Sequence, residues 1–427
     1  MSDLSPVRRR EIVDALRRGT VPSGGLDVLA VGLDPFVAAI DAELDTAASG
    51  GAAFKAIRGD YGAGKTFFAR WLEQRALQRG FAVAEVQISE VETPLHKLET
   101  VYRRITESLR TDAFAPSAFR SVVDAWLFAV EDEAGADADD ERVAAVLNTR
   151  LALVGASTPV FPVALRGYLQ AQDTGDEATA AAVIAWLSGQ PHIGAAAKRV
   201  AGVRGEIDHF LAMGFLQGLL ALLRGSRHAG LVIVLDEVET LQRMRSDTRE
   251  KALNALRQWV DEIDAGRYPG LYLVITGTPA FFDGRQGLQR LPPLAARLST
   301  DFSAAGFDNP RAPQIRLLGF DLDRLVEVGA RVRAVYVTGI ANADRVRAGV
   351  DDAFIRDLAR AVAGRLGVGV APRLFLRKLI DVMDRVDQHE GYNARVHFSM
   401  EIPDGELTDA ELTAAKAVEL SADDVEL

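Results

Sequence analysis

Gly59-Asp60-Tyr61-Gly62-Ala63-Gly64-Lys65-Thr66 is a complete G-x-x-x-x-G-K-[ST] phosphate loop. The apolar run Phe54-Lys55-Ala56-Ile57 precedes it and Phe67-Phe68-Ala69-Arg70-Trp71-Leu72 follows, which gives the strand, glycine loop and helix that the motif requires. Glycines let such a loop close around phosphates with its N–H groups turned inward, and the positive end of the helix dipole adds to the same place. The expected nucleotide-binding residues are therefore Gly59, Asp60, Tyr61, Gly62, Ala63, Gly64, Lys65, Thr66 and Phe67. Lys65 is expected to reach the β- and γ-phosphates, and the Thr66 hydroxyl to ligate Mg²⁺.

Binding is half of a hydrolytic site; a metal carboxylate and a group that orients water are the other half. The run Leu231-Val232-Ile233-Val234-Leu235-Asp236-Glu237 offers both at the end of a buried strand. Asp236 is expected to hold Mg²⁺ through its water shell, and Glu237 to polarise the attacking water. Two carboxylates ending an apolar strand are costly to bury without a cation, so the pair should face solvent or a metal.

The next apolar run ends Val274-Ile275-Thr276-Gly277-Thr278-Pro279. If this strand lies between the other two, a hydroxyl at its end sits beside the γ-phosphate; Thr278 is the first choice and Thr276 the second. Arg297, further on, is a candidate to reach the γ-phosphate of a neighbouring subunit. Arg373 opens a late helix and is a candidate to sense nucleotide within its own chain.

A chain of 427 residues predicts two or three packed units rather than one core. Hydrophobic residues at 48% and charged residues at 26% are those of a soluble globular protein. Cysteine is absent, which excludes disulfides and thiolate metal sites. The six histidines, His96, His192, His209, His228, His389 and His397, have no metal-ligand spacing. A net charge of −11 argues against a protein that coats nucleic acid over its whole surface, while leaving room for a local DNA contact. The first residues lack a signal-peptide core, and no run reaches the ~20 apolar residues of a membrane span, so the expected location is the cytoplasm.

Periodicity predicts an opening helix over 5–18, a second over 36–46, a strand over 81–88 and a helix over 95–109. From about 113 to 228, Ala, Leu and Val recur at helical intervals, which predicts a helical insertion rather than a loop. Short continuous apolar runs over 231–235, 271–276 and 314–317 predict strands covered on both faces. Helices over 322–335, 353–364 and 372–386 predict a compact helical unit. Alternation over 395–402 suggests an edge strand, and the acidic stretch 420–427 a frayed end.

The order of these features resembles an AAA+ ATPase, nearest to origin-recognition and transposition-helper ATPases: phosphate loop, Asp236-Glu237 strand, threonine-ending strand, Arg297, then a helical lid bearing Arg373. Arg58 before the phosphate loop, the upstream Ile12-Val13-Asp14-Ala15-Leu16-Arg17-Arg18-Gly19 and Val31-Gly32 are similar to the BrxD-type ATP-binding proteins of BREX phage-defence systems. The resemblance implies an α/β fold: an AAA+ P-loop core, a parallel sheet flanked by helices, with a large helical insertion and a C-terminal lid. The parts would be an N-terminal flank on the adenine side (1–50), the ATPase core (51–318), the lid (319–390) and a tail (391–427). It implies ATP and Mg²⁺ as ligands, with Val21, Pro22 and Val31 near the adenine. It implies a homo-oligomer, or an assembly with defence proteins such as a helicase or methyltransferase, and possible DNA contact. Only about 35 residues follow the lid, too few for the winged helix often added to origin-type ATPases. A nucleotide-gated scaffold with negligible turnover and a DNA-loading protein are the competing readings.

Overall fold

The computed structural model describes residues 4–304, 306–367, 372–409, 411–413 and 415–416. Five strands form one all-parallel sheet: β1 (Ala53–Arg58), β2 (Ala82–Gln87), β3 (Leu231–Asp236), β4 (Leu271–Gly277) and β5 (Gln314–Arg316). Their order is β2-β3-β4-β1-β5, so the strand ending in threonine lies between the phosphate-loop strand and the Asp236-Glu237 strand. All residues of β3 and β4 are buried, as their unbroken apolar runs require of central parallel strands.

Strand pleating divides those runs between two cores. Leu231, Ile233 and Leu235 face one side, packing with Leu271, Leu273 and Ile275. Val232 and Val234 face the other, with Tyr272, Val274 and Phe68. The second face is covered by α2 (Asp34–Ala48) and by α3 (Lys65–Gln78), the helix that leaves the phosphate loop. The first face carries α4 (Leu98–Ser108) and the whole stretch expected to be an insertion. That stretch is six helices: α5 (Phe119–Ala134), α6 (Asp140–Val154), α7 (Val160–Asp173), α8 (Glu177–Leu187), α9 (Ala195–Val200) and α10 (His209–Gly225). Trp126, Tyr168, Trp186 and Phe215 join it to the sheet core without a break. Between β3 and β4 runs α11 (Ser246–Asp264), a helix absent from the expectations above.

After the short helices α12 (Pro279–Asp283) and α13 (Pro292–Arg297) and strand β5, a separate core forms from α14 (Leu322–Val337), α15 (Ala343–Gly349), α16 (Asp352–Leu366) and α17 (Pro372–Gln388). The opening helix α1 (Pro6–Arg17) belongs to this core and not to the sheet: Ile12 and Leu16 pack with it, and Arg17 Nε donates to Asp384 Oδ2 of α17 at 2.7 Å. The connection from α1 to α2 therefore crosses between the two bodies, with Leu29 and Val31 in the helical core and Leu26 in the sheet core.

The expected edge strand over 395–402 is not one. Residues Ala394–His397 form a helical turn, α18, and the following segment pairs with no strand among the described residues. Phe398, Met400 and Ile402 pack one-sidedly against the C-terminal core while Val396 is exposed, which explains the alternation without a sheet. The expected frayed end, 420–427, lies outside the described residues. No helix among the described residues is long and apolar enough to cross a membrane.

A charge inside the sheet helps shape the space between the bodies. Lys55, buried on β1, meets Glu43 of α2 at 2.6 Å and donates to the carbonyls of Pro310 at 3.1 Å and Ala312 at 2.6 Å. Tyr272 completes the site with a 2.5 Å bond to the same glutamate. A buried ammonium is tolerable only with such partners, and here they tie down the loop that enters β5.

Candidate nucleotide-binding site

The phosphate loop leaves the end of β1 and turns directly into α3. Gly62 and Gly64 take φ of 81° and 92°, left-handed values open to glycine at no steric cost. Gly59 is needed for a different reason: a Cβ there would lie 3.1 Å from Ala63 Cβ and 3.3 Å from Leu317 Cβ. Lys65 is folded back over its own loop, donating from Nζ to the carbonyls of Gly59 at 2.9 Å and Asp60 at 3.2 Å.

The strand order brings the two distant motifs together. Thr66 Oγ1 stands 3.5 Å from Asp236 Oδ2, across 170 positions of chain. Thr276, fully buried on β4, donates its hydroxyl in a close hydrogen bond to Asp236 Oδ1. The Glu237 N–H points to the same pair, 3.1 Å from Asp236 Oδ1 and 3.2 Å from Thr276 Oγ1. At Glu237 the chain passes through φ 59°, ψ 42°, a left-handed conformation uncommon for a glutamate. Its carboxylate accepts from Gln87 Nε2 at the end of β2, at 3.0 Å. Buried Arg249 secures the helical turn Val238–Arg243 that follows, donating to the carbonyls of Leu241 and Met244 at 3.2 and 2.7 Å.

These groups open into a cleft of about 650 Å³ between the sheet and the C-terminal helical core. Its polar end is formed by residues 61–66, Asp236, Glu237 and Glu239, and its apolar end by Leu16, Val21, Leu29, Val31, Phe67 and Leu376. Pro22 lines it as well, so all three residues expected beside the adenine border the same space. Arg373 also lines the cleft, forked onto Glu411 with Nε–Oε1 of 3.1 Å and Nη2–Oε2 of 2.6 Å.

Two expected residues lie elsewhere. Thr278 precedes α12 and, like Thr276, is not among the described residues that line the cleft; Thr276, the second choice, is the hydroxyl in contact with the acidic pair. Arg297 is half-exposed at the end of α13, paired with Asp261 at 3.1 Å and closely with Asp264 of α11, and likewise does not line the cleft.

Sequence reading missed Gln87, Glu239 and Glu411. Glu239 carried a signal in the Asp-Glu-x-Glu spacing, which one turn of helix returns to the site. Its Oε1 lies 4.0 Å from Lys65 Nζ and its Oε2 is buried without a hydrogen-bond partner. Burial pushes its carboxyl above the ordinary pKa, against the pull of its own backbone N–H and of Lys65. Gln87 and Glu411 are visible only once the strands and the tail are placed.

Among the described residues, no three His, Cys, Asp or Glu side chains are grouped to hold a metal unaided. Thr66 and Asp236 instead present two hard oxygen donors beside a phosphate loop, the small protein set that Mg²⁺ uses when phosphates and waters complete its shell.

A search of curated proteins returns no match to the chain. A protein-family model described as BREX system ATP-binding protein BrxC/D matches residues 4–402, which include the sheet, α14 to α17 and all of the cleft lining but Glu411. With its phosphate loop, acidic strand end and that cleft lining inside the match, the chain belongs to the BrxC/D family of BREX system ATP-binding proteins.

Proposed function

We propose that this protein is an AAA+ ATPase that binds ATP with Mg²⁺, hydrolyses it, and serves as a switch or motor subunit in a BREX antiphage complex. The observation that carries the reading is the 3.5 Å approach of the Thr66 hydroxyl to Asp236, two oxygens that together would hold one metal, directly or through its waters, next to the phosphate loop. The sheet order supports it by putting β4 and Thr276 between the two motifs.

Bound Mg²⁺ would neutralise charge on the β- and γ-oxygens. Thr66 and Asp236 would hold it, with Thr276 fixing the carboxylate rotamer. Lys65 would exchange its loop carbonyls for phosphate oxygens, a charge-assisted contact that adds stabilisation as negative charge develops. Glu237 would accept the proton of the attacking water. Val21, Pro22 and Val31 would enclose the adenine, and Arg373 would report on the γ-phosphate from the helical unit, the lid of this reading. Arg297 would act on a neighbouring copy only after leaving Asp261 and Asp264.

The test is phosphate release by purified protein with ATP and Mg²⁺, with Glu237→Gln alongside. Turnover that vanishes in the variant while ATP binding persists supports hydrolysis at this site; wild-type turnover in Glu237→Gln removes Glu237 from the chemistry. A nucleotide-gated scaffold recruiting a helicase or methyltransferase is favoured by one feature, the Gln87 bond that occupies the Glu237 carboxylate. Wild-type protein that binds ATP and releases no phosphate, with or without DNA, would select it.

A further inference from the structure

The contact between Arg373 and Glu411 joins the cleft to a part of the chain beyond the family match, which ends at residue 402. Glu411 is 1% exposed, yet it lines the cleft. Its carboxylate takes both arms of the Arg373 fork, the Thr408 N–H at 2.8 Å and the Thr408 hydroxyl at 2.9 Å. Burial pushes this carboxyl up, but Arg373 and Thr408 outweigh it and hold it below the ordinary range, so it is an anion at neutral pH.

The segment leading to Glu411 is lashed to the same helical unit by further charges. Asp404 accepts from Arg365 of α16 at 2.5 Å, Glu406 meets Lys378 of α17 at 2.7 Å, and the Glu406 carbonyl accepts from Arg377 at 3.0 Å. The tail is thus an acidic strap across a basic face, and its most buried carboxylate, Glu411, lines the cleft. Arg373 lines the same cleft as Tyr61 of the phosphate loop, and its Nη1 lies 3.3 Å from a Cβ position at Gly19.

We propose that the C-terminal strap is autoinhibitory: Glu411 occupies Arg373 as an internal stand-in for the γ-phosphate, and ATP must displace it, loosening residues 404–409 and Glu411. The physical basis is competition of two anions for one guanidinium. A carboxylate supplied by the same chain is present at high effective concentration, so it lowers the apparent affinity for any ligand that needs the same arginine. ADP has no γ-phosphate and leaves the strap in place. Binding energy specific to the triphosphate is thereby converted into release of the tail. This inference rests on the reading of the cleft as an ATP site.

The experiment measures affinities of the full chain and of Glu411→Gln for ADP and for the slowly hydrolysed adenosine 5′-(γ-thio)triphosphate, by displacement of a fluorescent nucleotide. Expected is about tenfold tighter binding of the triphosphate by Glu411→Gln with ADP unchanged within about twofold, and no gain when Arg373→Ala is added. Hydrogen exchange on the wild-type chain supplies a second readout: residues 404–409 and Glu411 should exchange faster with the triphosphate than with ADP. Equal shifts for both nucleotides, weaker triphosphate binding, or exchange over 404–409 and Glu411 that is the same with either nucleotide would overturn the strap and leave the ATP site standing. A wild-type chain that binds neither nucleotide would remove the ATP site, and the strap with it.

Discussion

The Gln87 side-chain amide donates to Glu237 Oε2 at 3.0 Å, joining the ends of two neighbouring strands. The bond occupies one carboxylate oxygen and fixes its direction, so a water must compete with the amide for that oxygen. Gln87 therefore restrains the residue proposed to take the proton from water. Gln87→Ala should raise basal ATP turnover by about threefold to tenfold without changing ATP affinity. Steady-state phosphate release beside equilibrium binding checks both halves, and a slower variant would mean that Gln87 positions Glu237 for catalysis.

Thr276 acts on the other carboxylate. Replacing it with valine keeps the shape but removes the donor to Asp236 Oδ1 and one of the two acceptors of the Glu237 N–H. Groups that orient a metal ligand affect metal affinity by about tenfold or more. Thr276→Val should raise the Mg²⁺ concentration for half-maximal turnover about tenfold, while Thr278→Val should leave it unchanged. Mg²⁺ titrations of the two variants read this difference directly.

Most of the polar end of the cleft was legible because each part is local. A phosphate loop is contiguous, and a parallel strand buried on both faces is a continuous apolar run, so Leu231 to Leu235 announced where Asp236 and Glu237 would emerge. Partners that depend on strand order were not legible: nothing around Gln87 says that β2 lies beside β3. Helix α11 carries Arg249, Trp259 and many charges in one stretch, and its buried face shows only against the sheet. Alternation over 395–402 misled because an extended segment packed on one side has the same period as a strand. The expectation that Arg373 stands at the cleft rested on its place at the start of a helix; Glu411, its partner, follows a turn with no motif.

Lys55 gives a stability prediction. Lys55→Met would leave Glu43 with only its tyrosine partner and release the Pro310 and Ala312 carbonyls. Breaking one side of a buried ion pair costs about 3 kcal/mol or more. The variant should melt at clearly lower temperature, and adding Glu43→Gln should recover part of the loss. Unchanged melting in the single variant would mean the pair contributes nothing net.

Glu73, on the helix that leaves the phosphate loop, predicts a pH dependence. Burial pushes its carboxyl up to about 7, with Glu85 adding to the shift and Arg110 and Arg70 opposing it. The folded state therefore holds this proton more tightly than the unfolded chain does, where glutamate titrates near 4.5. Its contribution to stability is full below about 4.5 and declines as pH rises through about 7, by a few kcal/mol at most. Glu73→Gln should flatten the stability profile over that interval, as seen by chemical denaturation at a series of pH values.

The most direct test of the central claim is a structure of the Glu237→Gln protein with ATP and Mg²⁺. The account predicts Lys65 Nζ moved from the Gly59 and Asp60 carbonyls onto β- and γ-phosphate oxygens, with one metal between the Thr66 hydroxyl and Asp236. A triphosphate bound elsewhere, or a metal that touches neither Thr66 nor the water shell of Asp236, would contradict it.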